Sequence, residues 1–237
     1  PLLALGPRGG PLAPGLVAGP GRPLRLRVQD TSELRGNSDY RWELLGAGAC
    51  AGTCPPQKLA HLTGSWMSSA FGRKAVQVCA PAGEEELFRL QHSTSSWNPA
   101  QLRWSFRVLP PGSTDVGEAL FTINRDALGR GPLGLREQWR VYRGRARGGE
   151  LAYYCVGSAT GWDYSFHKSQ EAHDLGGEPV ARLTQEERTG MYCPETRVWV
   201  PARFNIEAQP DEDGALLLAV ATILDMAHER SQPGSVM

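Results

Sequence analysis

A mainly β fold, a closed antiparallel β-barrel of about a dozen short strands around a C-terminal hydrophobic helix, is what this sequence of 237 residues predicts. Three observations lead there. Short runs of alternating apolar and polar residues recur along most of the chain, the period of half-buried strands. Turn formers separate them, with 28 Gly and 18 Pro, the punctuation of an all-β sandwich or barrel. The one long apolar run, residues 215–224, falls near the C-terminus and has a polar residue only at Thr222. Its Ala and Leu content favours helix. A helix apolar on every side has to be buried all round, and a β-rich chain can bury it by wrapping around it.

The elements follow in order. Leu24, Leu26 and Val28 alternate with Arg25 and Arg27. Residues 75–79 and 86–90 form a second and third run, joined through Pro81, Ala82 and Gly83 as a hairpin. In 102–108, Leu102, Trp104, Phe106 and Val108 share one face, and Pro110, Pro111 and Gly112 end the run. Runs at 119–124, 138–142, 151–156, 163–168, 179–184, 197–200 and 203–208 complete the series. Asp211 and Asp213 then stand where a helix N-terminus wants a cap and negative charge. The helix over 215–224 is about 15 Å long by its rise, half a bilayer, so a protein core rather than a membrane is its expected surrounding.

Residues 1–23 hold six Pro and six Gly and no acidic residue. Such a stretch has little apolar surface to offset its ordering entropy, so a flexible tail is expected. The chain opens on Pro1 rather than Met, as a trimmed or partial chain would. Residues 24–229 read as a single domain, with 46–56 as an inserted loop of low complexity, and 230–237 as a flexible tail.

Several segments look like one family. Phe204-x-Ile206, Asp213, the Ala/Leu/Val run and Ile223-Leu224-Asp225 resemble the end of LURP-one-related proteins, which finish with Asp, an apolar helix and Leu-Asp twelve residues on. Residues 120–125 followed by Trp139-x-Val141-Tyr142-x-Gly144 resemble the family's central strands. Val76, Gln77 and Val78, through Gly83 to Leu87, Phe88 and Arg89, resemble its early hairpin. The likeness spans roughly residues 70–229. It implies the tubby C-terminal-like and phospholipid scramblase-like superfamily: a twelve-strand barrel around a central helix, a non-enzymatic role, and association with phospholipids. The chain departs from scramblases in lacking their cysteine cluster, and its Asp211, Glu212, Asp213 stretch is shorter than their calcium-associated segment.

Chemistry read from the residues is sparse. Gly129 to Gly134 fits G-x-G-x-x-G, but Pro132 and the β-like run after it supply no helix, so the glycines are expected in a turn. No G-x-S-x-G, paired Cys and His, or close carboxylate pair stands out. His167 and His173 beside Asp163 and Asp174 read as solvated loop histidines, and Glu84, Glu85 and Glu86 as an exposed turn. Asp211, Glu212 and Asp213 offer oxygens to calcium, but too few for its usual six to eight ligands, and capping is the better account. Cys50, Cys54, Cys79, Cys155 and Cys193 are an odd, sparse set, which argues against a disulfide framework. Cys50, Cys54 and His61 lack the partners of a zinc site. Free thiols in an intracellular, reducing compartment, no metal and no cofactor are expected.

Formal net charge is zero, with 25 basic and 25 acidic residues, so a nucleic-acid partner is not expected. The one asymmetry lies in 125–147, with seven Arg against Asp126 and Glu137. Arg140, Arg143, Arg145 and Arg147 cluster within eight residues at an expected hairpin tip. Alternation puts Arg140 opposite Trp139 and Val141, facing solvent. These four arginines are the candidate lipid-binding residues. A solvated turn is the bland account of them. The partners expected are therefore an anionic phospholipid or membrane surface, approached peripherally, or another protein for which the chain is a scaffold or structural subunit. No catalytic residues are assigned.

Overall fold

The computed structural model describes residues 12, 16, 23–30, 39–46, 57–65, 75–81, 85–93, 105–125, 136–144, 149–158, 163–186, 191–193, 195, 198–200 and 203–229. The strands are β1 (Leu24–Asp30), β2 (Asp39–Gly46), β3 (Gln57–Ser65), β4 (Ala75–Cys79), β5 (Glu86–Ser93), β6 (Ser105–Leu109) and β7 (Phe121–Arg125). They continue with β8 (Arg136–Arg143), β9 (Leu151–Ser158), β10 (Asp163–His167), β11 (Ala181–Gln185), β12 (Met191–Cys193), β13 (Val198–Val200) and β14 (Arg203–Ala208). Two α-helices, α1 (Gln170–Asp174) and α2 (Gly214–Glu229), are described. The mainly β, antiparallel class is the one expected.

Each of β2 to β10 pairs antiparallel with its neighbours in sequence, β10 with β11, β11 with β14, and β14 with β1. β1 also pairs with β2, so the ladder of twelve strands closes on itself as a barrel. β12 and β13 stand apart as a two-stranded ribbon between β11 and β14. The expected strand at 197–200 is therefore real but lies outside the ring. β2, β3 and β12 were not among the expected runs.

Alternation aims one side of each strand inward. On β8, Trp139 and Val141 are buried, and across the ladder Trp139 faces Cys155 and Arg125, all on the inner face. Phe106 and Val108 of β6, Tyr153 of β9, Tyr164 and Phe166 of β10, and Leu183 of β11 are placed likewise. The inner aromatics touch: Phe106 and Trp139 lie 6.4 Å apart between ring centroids, Tyr153 and Phe166 6.1 Å edge-to-face. Gly157 faces Tyr164 across the ladder, and any Cβ at 157 would run into the Tyr164 ring. Glycine there lets the ring lie over the strand.

α2 follows β14 and fills the interior. Residues 215–224 are buried on every side and share one apolar cluster with the inner faces of the strands. Thr222 satisfies its hydroxyl within the helix, donating to the Leu218 carbonyl at 2.9 Å. At its start the helix is capped by Asp213, whose Oδ1 accepts N–H bonds from Ala215 and Leu216, each 3.1 Å. Asp211, the other expected cap, is instead the exposed residue of the preceding turn, at φ 67°.

The flexible tail expected over 1–23 does not hold at Leu12 and Leu16. Both are buried in the core cluster, and the Leu12 N–H donates to Asp213 Oδ2 at 2.7 Å. Of the loop expected over 46–56, Gly46 belongs instead to β2; residues 47–56 and the tail at 230–237 lie outside the described residues.

Candidate functional site: the basic hairpin and the helix-entry end

Because ring neighbours run antiparallel, β8, β10 and β14 all finish at the end where α2 begins. The β8–β9 hairpin that carries the arginines is at this end. The Arg143 N–H bonds to the Glu150 carbonyl at 2.9 Å and the Gly144 N–H to the Leu120 carbonyl at 2.8 Å. Gly144 takes φ 81°, which suits glycine as the chain leaves the strand. Arg145 and Arg147 lie outside the described residues.

Arg140 does face outward, opposite Trp139 and Val141, but it is not an unengaged cation. Its guanidinium donates to Gln170 Oε1 at 2.7 Å and sits 5.7 Å over the Tyr154 ring. Arg143 is half-exposed, lies 5.5 Å over Phe121, and has Glu150 at 3.7 Å. The two described arginines are thus oriented on the outer surface by aromatic faces and nearby polar partners. Such pairs at partly exposed sites are worth about 0.5–1 kcal/mol each, so an anionic ligand could compete for them.

α1 packs over this outer face. Ser169 caps it, accepting from the Ala172 N–H at 3.1 Å. His173 lies edge-to-face on Tyr154 at 5.7 Å and on His167 at 5.0 Å. His167 is buried rather than solvated. Its Nε2 is 3.2 Å from Ser165 Oγ, and its Nδ1 has no hydrogen-bond partner. Ser165 Oγ also lies 3.3 Å from the Val156 carbonyl, to which it donates. Burial, then the nearby His173 and Arg182, lower the His167 pKa.

At the mouth of the barrel the acidic stretch divides its work. Glu212 is buried and accepts from the Tyr153 hydroxyl at 2.6 Å and from Lys168 Nζ at 2.7 Å. Lys168 also lies 4.8 Å over the Tyr153 ring. Burial and the adjacent Glu212 carboxylate push the Tyr153 phenol far up. Burial raises the Asp213 carboxyl, against the pull of three main-chain N–H donors and of Arg143. Asp211, Glu212 and Asp213 therefore do not converge on a common point. Among the described residues no group of three or more His, Cys, Asp or Glu could hold a metal ion.

The opposite end of the barrel holds a network that the sequence reading missed. Arg125 and Glu137, both buried, form a close ion pair on the inner face. Glu137 also accepts from Trp139 Nε1 at 3.2 Å and the Tyr164 hydroxyl at 2.9 Å, and Arg125 lies 5.8 Å over Trp139. Burial, then the Glu137 charge, push the Cys155 thiol well up, which leaves it unreactive. Burial and Glu137 likewise raise the Tyr164 phenol. The signal was available: Glu137 shares its strand face with Trp139 and Val141, and Arg125 with Ile123.

Other expectations have mixed outcomes. Glu85 is exposed, but Glu86 is half-buried against Arg89 at 2.7 Å and also accepts the Gly112 N–H at 3.1 Å. Cys79 and Cys155 are not in disulfides. Cys50, Cys54, Glu84 and the glycine stretch at 129–134 lie outside the described residues. Among the described residues no helix is long and apolar enough to cross a membrane. Compared with known proteins, the chain matches no family model, no curated protein and no solved structure.

Proposed function

We propose that this is a non-enzymatic LURP-one-related, tubby C-terminal-like domain that binds anionic phospholipid at a membrane surface through the β8–β9 hairpin. The observation that carries the reading is the buried α2: a barrel whose interior is taken by its own helix presents its binding chemistry outside. Among the described residues the hairpin brings Arg140 and Arg143 to the end where the helix enters, and Arg145 and Arg147 follow in the sequence. Each arginine near an anionic surface contributes about 1 kcal/mol at low salt. Four give weak, reversible association on the order of millimolar, so avidity or a second contact completes it. Peripheral attachment from a reducing, intracellular compartment fits this reading.

A second reading, a protein-interaction scaffold, is favoured by Leu175. It is 81% exposed at the end of α1 and is flanked by the acidic Glu171, Asp174 and Glu178. An apolar side chain in an acidic setting suits a protein better than an anionic membrane. Flotation on neutral and anionic liposomes separates the two. The lipid reading expects binding to anionic vesicles only, weakened by salt and abolished by replacing the four arginines with Gln, while the protein stays cooperatively folded with a thermal midpoint lowered by only several degrees for the lost Arg140 and Arg143 contacts. If the wild-type protein ignores anionic vesicles at low salt, the lipid reading fails.

A further inference from the structure

We propose that the mouth of the barrel at the start of α2 is a peptide-binding site, which the chain fills with its own Leu12-x-x-x-Leu16 segment. The twelve ring strands close without this segment. Leu12 and Leu16 are nevertheless each only 4% exposed. Its one described hydrogen bond runs from the Leu12 N–H to Asp213 Oδ2. Two buried apolar side chains and one main-chain N–H held by a carboxylate are a pattern by which a docked peptide is recognised.

The receiving side is shaped for it. The two oxygens of Asp213 divide their labour: Oδ1 caps α2 through Ala215 and Leu216, and Oδ2 takes the segment. Gly214 opens the helix although glycine is a poor helix former. A Cβ there would collide with the Leu16 carbonyl oxygen and the Leu24 side chain. The glycine therefore gives the segment its close approach to the helix end. The ligand class is a short peptide with two leucines four apart and a main-chain N–H available on the first.

The test keeps every residue of the chain. A protease site is placed at 18–22 in the full-length protein, the protein is cut, and the products are separated by size exclusion. The N-terminal fragment should co-elute with the body. A fluorescent peptide of residues 1–17 should then exchange onto the cut protein. The same peptide with Leu12→Asp and Leu16→Asp should fail to do so. Asp213→Asn in the body, which keeps a helix cap, should weaken peptide binding several-fold. The proposal is overturned if the fragment departs and neither peptide binds, or if both peptides bind alike. It is overturned equally if cutting unfolds the body or if the fragment never exchanges, since the segment is then part of the core.

Discussion

The two ends of α2 meet the same difficulty, a carboxylate inside an apolar barrel, and resolve it differently. At the entry end Glu212 is held by a tyrosine hydroxyl and by Lys168, whose side chain is 56% exposed, and Asp213 by main-chain N–H groups. At the far end Glu137 is held by a guanidinium that is itself buried, with Trp139 and Tyr164 completing its shell. The entry end stays in touch with water. If Glu212 is neutralised there, the Lys168 ammonium can be rehydrated. The far end has no such outlet, because loss of one partner strands a buried charge. The entry end can lose a partner at small cost, and the far end cannot.

The largest disruption should come from the helix that joins the two ends. Leu217→Asp places a charge with no partner in the centre of the apolar cluster, a substitution expected to prevent folding. Circular dichroism with heating should show no cooperative transition.

Next comes the far end. Glu137→Gln should cost about 3–5 kcal/mol in a denaturant titration, because Arg125 is left buried and unpaired. The double change Arg125→Met with Glu137→Leu should cost less than Glu137→Gln alone, since no charge is stranded. Glu212→Gln at the entry end should cost about 1 kcal/mol, because the Lys168 ammonium returns to water. Equal losses for Glu137→Gln and Glu212→Gln would erase the distinction between the ends.

The smallest expected effect is a pH dependence on the outer face. The folded-state pKa of His167 lies below its ordinary 6.5. The unfolded chain therefore binds the proton more readily than the folded one. The stabilisation is complete above about pH 6.5 and is lost as pH falls toward the lowered folded value. The thermal midpoint of the wild type should drop between pH 7.5 and 5.5 by more than that of His167→Gln. Identical drops would show that His167 protonates freely and that α1 is loosely docked.

Much of this architecture is legible in the residues, and the exceptions have physical causes. The strands with clean alternation were all foreseen, as was the burial of 215–224. β2 and β3 were not, because their period is disturbed. Leu44 and Leu45 follow one another in β2, and the register with β3 shifts between them, skipping the half-buried Leu59 beside the inward Ala60 and Leu62. The tail rule failed at Leu12 and Leu16 because composition describes a segment alone, whereas a preformed apolar mouth and one acceptor supply what the segment lacks. Of the four arginines, position was readable from alternation for Arg140. Its engagement by Gln170 and Tyr154, from elements 30 and 14 residues away in sequence, was not.

Native-state hydrogen exchange tests most directly whether the ring of strands encloses α2. If the helix is enclosed, the amides of 217–223 cannot open without opening the barrel, and they should exchange only by global unfolding, with the free energy of the denaturant titration. If these amides exchange faster than those of β8 and β9, through a local opening, the helix is not enclosed and the account is wrong.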